Sequence, residues 1–318
     1  MLDCNQITAQ VEEYLQYMQG IGYSLEATSV TLRSFARFTR ENNYDHPLTW
    51  KIVRSYCERG GADVPMKTKG RRFEAIAPFG HYASMFFPGS EQLPLLPYGR
   101  CHQRPRPHIY SDEEIVMLME KSRTVYSPDG LRSLTLETVI GFMAVTGART
   151  SEVVNLKLAD VDFIDKLVLI RMGKNGKDRL LPLKDSVADT LRRYQKAIDE
   201  KISARRSPDS SFFVTTGGKP IGSRGIEYAF SRIRDCVDVS DSDYNVPILY
   251  HLRHTFACRT VRNWILDGQD VNKTLYTLTT YLGHCHPEDT YWYLSATPEL
   301  MKLASSRYEE VFGGYEND

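Results

Sequence analysis

Apolar residues recur at helical spacing through the first hundred positions. Val11, Tyr14, Leu15 and Met18 fall three and four apart, and Gly20 ends the run. Ser24 stands where an N-cap would open a second helix, in which Leu32, Phe35 and Phe38 face inward while Arg33, Arg37 and Arg40 gather outside. A third helix is expected from Thr49 to Arg59, closed by Gly60-Gly61. A fourth is expected from Arg71 to Phe86, on Ile76, Phe79, Tyr82, Ala83 and Phe86, with Pro78 and Gly80 counting against it. This is the pattern of a small helical bundle with a charged face. It breaks between residues 88 and 108, where Pro88, Pro94, Pro97, Pro105 and Pro107 alternate with Arg100, Arg104 and Arg106. Proline disfavours both helix and sheet, so a linker is expected there. The expected division is a helical domain over 1–100, a basic linker over 101–108 and a second domain over 109–318.

The second domain opens at Ser111-Asp112-Glu113-Glu114, a capping box ahead of Ile115, Leu118 and Met119. A long apolar helix, Leu134 to Val145, ends at Thr146-Gly147 and delivers Arg149 at a turn, and another begins near Thr150 or Ser151. Alternation then shortens to the period of strands. Residues 167–171 and 179–183 flank Gly173-Lys174-Asn175-Gly176-Lys177, and Asn-Gly between two aliphatic runs is a hairpin signal. Helices are expected from Ser186 to Ile202 and from Ser223 to Val237, with Phe212-Phe213-Val214 as a short buried strand. After Thr297-Pro298-Glu299, residues Leu300, Leu303, Ala304, Tyr308 and Val311 form the stripe of a last helix. The fold class is mainly α with a small antiparallel β-hairpin or sheet, an α+β chain.

Composition changes this picture little. With 318 residues, 42% of them hydrophobic, the chain is long enough for two cores and unlike a disordered one. The net charge of zero argues against a uniformly basic nucleic-acid binder. The charge is unevenly spread, however. Lys67, Lys69, Arg71, Arg72, Arg100, Arg104 and Arg106 are opposed between residues 66 and 106 only by Glu74 and Glu91, so a basic patch is compatible with neutrality. Six scattered cysteines read as reduced thiols, and Cys285-His286 lacks the second ligand pair of a metal site. No apolar run spans a bilayer and no signal peptide is visible, so no membrane association is expected and the compartment would be the cytoplasm or nucleoid.

Three stretches carry candidate chemistry. They are Thr146-Gly147-Ala148-Arg149-Thr150-Ser151-Glu152-Val153, Tyr250-His251-Leu252-Arg253-His254-Thr255-Phe256-Ala257, and Tyr281-Leu282-Gly283-His284 followed by Thr290-Tyr291-Trp292-Tyr293-Leu294. Two arginines, a histidine and a tyrosine in that order, the tyrosine nine positions after the histidine, resemble the signature of the tyrosine recombinases, the phage integrase family. The similarity extends over about residues 108 to 300. It implies a catalytic domain there and, more loosely, a DNA-clamping core-binding domain before it. The Tyr291-to-Leu300 run is similar to that of mobile-element, transposon-type recombinases.

The resemblance implies a role for each residue. Tyr293 would attack a DNA phosphate, leaving a 3′-phosphotyrosyl link and a free 5′ hydroxyl. Arg149 and Arg253 would neutralise the non-bridging oxygens, because a guanidinium fork gives two parallel bonds and keeps its charge. His284 would hydrogen-bond the same phosphate. Lys174, in the hairpin turn, would protonate the leaving oxygen, with Lys177 as its rival. Position 250 departs from the family, which usually has histidine there. Tyr250 can donate a hydrogen bond but carries no imidazolium charge, and His251 points about 100° away on a helix. Local alternatives exist: Arg149 salt-bridging Glu152, His284 merely capping a turn, and Tyr291 or Tyr281 in place of Tyr293. Arg33, Arg37, Lys67, Lys69, Arg71, Arg72, Arg104 and Arg106 are the candidates for contacts to double-stranded DNA. Partners implied are paired recombination sites, a homo-tetramer joined through the C-terminal helix, and other recombinases of the same element. No metal, ATP or other cofactor is implied. The rival functions are a type IB topoisomerase and an accessory DNA-binding protein that has lost catalysis.

Overall fold

The computed structural model describes residues 6–99, 106–171, 173, 177–202, 205–237, 246–284, 286 and 288–295, with the backbone alone at 271–272 and 293–295. The chain divides into two compact units, Met1–Arg104 and Pro105–Asp318.

The first unit is built from α1 (Gln6–Gly20), α2 (Glu26–Glu41), α3 (Trp50–Cys57) and α4 (Met66–Phe86). Ile7, Val11 and Leu15 of α1 meet Leu32 and Phe35 of α2, Val53 and Tyr56 of α3, and Ile76, Phe79 and Ala83 of α4 in one buried core. Two local details differ from the sequence reading. Ser24 does not cap α2; Leu25 stands at the N-cap position with φ 45° and no side-chain cap bond. The fourth helix begins at Met66 rather than Arg71 and runs through Pro78 and Gly80. Their combined cost, about 4 kcal/mol in helix propensity, is smaller than the gain from burying Phe73, Ile76 and Phe79, at about 1.5–3 kcal/mol each.

The second unit is a helical body with a small sheet on it. Its elements are α5 (Asp112–Ser122), α6 (Leu131–Thr146), α7 (Thr150–Val154), β1 (Val161–Asp162), β2 (Leu167–Ile170), β3 (Arg179–Pro182), α8 (Asp185–Lys201), α9 (Ser223–Ser231), α10 (His251–Leu266), α11 (Val271–Leu282) and α12 (Glu288–Ser295). The expected capping box opens α5: the Ser111 hydroxyl accepts from the Glu114 amide and Glu114 accepts from the Ser111 amide. α6 is apolar almost all round, and its Leu136, Val139, Ile140 and Met143 lie within the main core, as a helix without a polar face must.

The sheet is antiparallel in the order β1-β2-β3, with Val168 opposite Leu181 and Val161. The short β1 was not expected. Phe212, Phe213 and Val214 are buried, but they form no strand, only isolated bridges at Lys157–Ser211 and Val214–Pro220. Their burial as an apolar knot reads like a strand in sequence because periodicity cannot separate the two over three residues. The helix expected to reach Val237 stops at Ser231 and resumes only as a 3₁₀ turn at Arg234–Cys236. The stripe from Leu300 to Val311 lies outside the described residues. Among the described residues no helix is long and apolar enough to cross a membrane.

Candidate active site

Two glycine turns shape the site. α6 ends at Gly147, in the left-handed region at φ 62°, and Arg149 follows in extended conformation as the N-cap of α7. A Cβ at Gly147 would stand 2.4 Å from the ring of Phe256, so α10 lies directly against this turn. α11 ends in a Schellman motif. Gly283 takes φ 66°, the His284 amide donates to the Thr279 carbonyl and the Gly283 amide donates to the Thr280 carbonyl. The Leu-Gly-His run is thus a helix stop that throws His284 sideways off the end of α11.

Tyr281, Leu282 and Gly283 are left with carbonyls that α11 cannot satisfy, at the negative end of its dipole. Three arginines from three other elements fill them in succession. Arg179 of β3 donates through Nε to the Tyr281 carbonyl at 2.8 Å. Arg253 of α10 donates through Nη2 to the Leu282 carbonyl at 2.6 Å, and Arg149 donates through Nη2 to the Gly283 carbonyl at 3.1 Å. Arg253 is fully buried and also donates to the Gly147 carbonyl at 2.7 Å, joining both glycine turns through one side chain.

Behind these arginines lies Glu152, whose side chain is 3% exposed. Its carboxylate accepts from Arg179 Nη1 and Nη2, both at 2.7 Å, and from the amide and Nη1 of Arg149, both at 2.8 Å. Burial works to raise the Glu152 carboxyl. The bonds and charge of Arg179 and the bonds of Arg149 outweigh it and hold the group at about 2. The local pairing of Arg149 with Glu152 and its reach toward the end of α11 are therefore both present.

His284 is fixed on both nitrogens. Arg253 Nη2 lies 3.0 Å from Nε2, and Thr290 Oγ1 lies 2.8 Å from Nδ1. An arginine only donates, so Nε2 is the acceptor and Nδ1 carries the proton toward Thr290. Thr290, on α12, is buried with its hydroxyl 3.0 Å from that of Thr279 on α11. His284 thereby clips α12 to α11 one helical turn before position 293 of α12.

The other candidates fall around this cluster. The side chains of Lys174 and Tyr293 lie outside the described residues; backbone position 293 belongs to α12. Lys177 is exposed. Tyr250 stands at the N-cap of α10, 37% exposed, its ring edge-on to His254. His251 is buried, and burial together with the nearby His108 pushes its imidazole down to about 4, so it brings no charge to the site at neutral pH. His254 packs edge-on to Trp292 of α12. Tyr281 is stacked on Phe256 and burial raises its phenol to about 12, whereas Tyr291 is 43% exposed. Arg179 was read from the sequence only as the start of a return strand. The one signal that could have singled it out is a cation placed at the base of a hairpin downstream of Glu152.

In the first unit, Arg37, Lys67 and Arg71 are exposed and Lys69 is partly so; Arg106 of the second unit is exposed, and Arg104 lies outside the described residues. Arg33 forms a two-bond pair with Glu12 that remains in solvent. Arg72 donates to the carbonyls of Cys57 and Arg59, closing the end of α3.

Replacing Gly283 by alanine tests the helix stop. The left-handed backbone would cost about 1–2 kcal/mol, and the new Cβ would meet Arg179 Nη1 at 3.1 Å. We expect a lowered urea midpoint with an unchanged slope; an unchanged midpoint would show that the turn does not need glycine.

The phage integrase family model matches residues 109–299. The chain is 34% identical over 306 residues to the putative integrase/recombinase y4rB of Sinorhizobium fredii, covering 94% of this chain and 96% of that protein. It is 29% identical over 204 residues to the tyrosine recombinase XerC of Pediococcus pentosaceus, covering 64% of this chain and 62% of that protein. Among solved structures, the Tn1549 transposon integrase in complex with transposon right end DNA shares the fold with a TM-score of 0.66 at 14% identity, over 95% of this chain and 98% of that one.

Proposed function

The chain belongs to the phage integrase family, the tyrosine recombinases that break and rejoin DNA, and from that premise we propose how its residues divide the work. Tyr293, having lost its phenolic proton to solvent, attacks the scissile phosphorus; a bond forms to its oxygen as the bond to the 5′ oxygen breaks. Lys174 gives the departing oxygen its proton. Arg149 and Arg253 bind the two non-bridging oxygens, where negative charge grows in the transition state, and His284 joins them once Nε2 takes up a proton and turns from Arg253 to the phosphate. The 5′ hydroxyl of a partner strand then attacks the phosphotyrosyl link and restores Tyr293. The energy of the phosphodiester stays in the covalent bond, so the cycle needs no nucleotide.

The observation that carries this reading is the convergence of Arg149, Arg253 and His284 on the last turn of α11, next to the helix that bears position 293. A nicked duplex that loses the short strand after cleavage tests it. The covalent protein–DNA product should accumulate, and its absence on the chain's own selected site would sink the assignment. A type IB topoisomerase and a decayed accessory protein are not favoured: relatives that cover nearly the whole chain are named putative integrase/recombinase, and both arginines and the histidine are present.

Tyr250 takes the place of a histidine as a neutral donor to a phosphate oxygen. Tyr250→Phe should slow cleavage by about tenfold, the loss of roughly one hydrogen bond to a charged group, and Tyr250→His should restore it. Full activity of the phenylalanine variant would remove the donor role.

The first unit serves as the clamp on duplex DNA. Arg37, Lys67, Lys69 and Arg71 supply its phosphate contacts, joined by Arg104 and Arg106 from the connection. Arg33 can exchange its exposed partner Glu12 for a phosphate, since solvated pairs of this kind are weak. Arg72 holds the fold instead. The stripe from Leu300 to Val311 docks on a neighbouring protomer in a tetramer on paired sites. A groove of about 690 Å³ in the second unit, lined in part by Val145, Val187, Phe256, Trp264 and Leu278, offers apolar surface for it. Transposition of a mobile element, with other recombinases of that element as partners, is the setting we infer, and the compartment is the cytoplasm and its nucleoid.

A further inference from the structure

We propose that Arg179 is a positioning residue that keeps Arg149 aimed at the phosphate by occupying the carboxylate Arg149 would otherwise embrace. The inference rests on the reading of Arg149 given above. Glu152 is a buried carboxylate with two cations beside it. A guanidinium facing a carboxylate prefers the two-bond fork, the strongest geometry open to it. Arg179 has that fork, with Nη1 on Oε1 and Nη2 on Oε2. Arg149 is left with one side-chain bond, Nη1 on Oε1, and its Nη2 turns to the Gly283 carbonyl beside His284.

Removing Arg179 strips two charge-assisted bonds from a carboxylate that has little water to replace them. The nearest remedy is for Arg149 to rotate, bring Nη2 onto Oε2 and complete the fork itself. It would then leave the last turn of α11, and the phosphate would lose a donor. Arg179 adds a second constraint through Nε on the Tyr281 carbonyl, which pins the final turn of α11 to β3. Gly173, at the hairpin base, lies beside both groups: a Cβ there would sit 3.4 Å from Arg179 Nη1 and 3.8 Å from Glu152 Oε1. One side chain thus ties the hairpin, the Arg149 turn and the end of α11 together.

The test uses the full chain and a nicked suicide duplex bearing the site that the native chain selects from a random-sequence pool. Rates of covalent product are compared for native, Arg179→Gln, Arg179→Lys, Glu152→Gln and the double variant Arg179→Gln/Glu152→Gln, each with its thermal melting curve. A donor displaced by about 1 Å costs on the order of 100-fold in rate, so Arg179→Gln should fall by about that factor. Arg179→Lys keeps the cation but not the fork; it should fold as native does and still lose about tenfold or more. The distinguishing result is rescue. Neutralising Glu152 removes what draws Arg149 away, so the double variant should be at least about tenfold faster than Arg179→Gln, a negative interaction in the cycle.

A double variant no faster than Arg179→Gln would overturn the proposal, because a merely structural arginine predicts added losses. Native rates in a folded Arg179→Lys would overturn it as well. A native chain that forms no adduct on its selected site would overturn the recombinase assignment of Arg149 and this proposal with it. Native adduct formation with indifferent Arg179 variants removes the proposal alone.

Discussion

Phenylalanine at position 293 should abolish the covalent protein–DNA product and leave duplex binding as it was. The variant removes one oxygen and keeps the ring, so what it takes away is the proposed attacking atom. Loss of a nucleophile in a comparable covalent mechanism costs on the order of 10⁶ in rate. A free tyrosine has a pKa of about 10 and is almost wholly protonated at neutral pH. An attacking phenol therefore needs cations nearby to favour its anion. The end of α11 gathers Arg149, Arg179 and Arg253, and α12 is clipped to it through His284 and Thr290. Of the two rivals, Tyr281 lies near Arg179 and Arg253 as well, but burial outweighs them. Tyr281 has its phenol raised to about 12 by burial, which opposes ionisation. Tyr291 is exposed, two residues from position 293 and so on another side of α12. The measurement is a suicide-substrate gel with peptide mapping of the adduct. Product that survives Tyr293→Phe and disappears in Tyr291→Phe would move the nucleophile to Tyr291.

Arg253 should separate into two effects according to its replacement. Arg253→Ala removes a fully buried side chain and its bonds to the Gly147 and Leu282 carbonyls. Two buried acceptors deprived of a charged donor, plus a cavity, should cost about 2–5 kcal/mol of stability. Arg253→Lys keeps a cation with less volume and no fork. It should retain most of the fold and lose about 10²–10³-fold in cleavage, the usual loss when a donor to the reacting oxygens is removed. Chemical denaturation reads the first effect and single-turnover cleavage the second. A lysine variant that cleaves at the native rate would show that the fork is not used on the phosphate.

What the sequence made legible was local. The pairing of 167–170 with 179–182, the Ser111 capping box and the turn at Gly147 each depend on residues close in sequence, and each is present, while the Asn175-Gly176 turn itself lies outside the described residues. Helical spacing identified α1 and α6 because their apolar faces are long. The reading failed where a signal was short or ambiguous. Phe212-Phe213-Val214 is an apolar run too brief to separate a strand from a buried turn, and Ser24 looked like a cap one residue before the position that holds it. The fourth helix begins at Met66 rather than Arg71, and tertiary burial sustains it through Pro78 and Gly80, which argue locally against it. The two arginines and the histidine could be found by their motifs, but the partners of those residues could not. Arg179 and the Tyr281 carbonyl it grips are 102 positions apart, and nothing in either neighbourhood points to the other.

The arginine clamp closes on main-chain oxygens at three consecutive positions, so no exchange of side chain at 281 or 282 can delete an acceptor. What must be conserved is phase. Inserting or deleting a single residue within α11 would turn its last carbonyls by about 100° and shift them by about 1.5 Å, presenting each guanidinium with the wrong oxygen or none. Evolution can therefore recolour that helix freely on its outer side, provided it never alters its length.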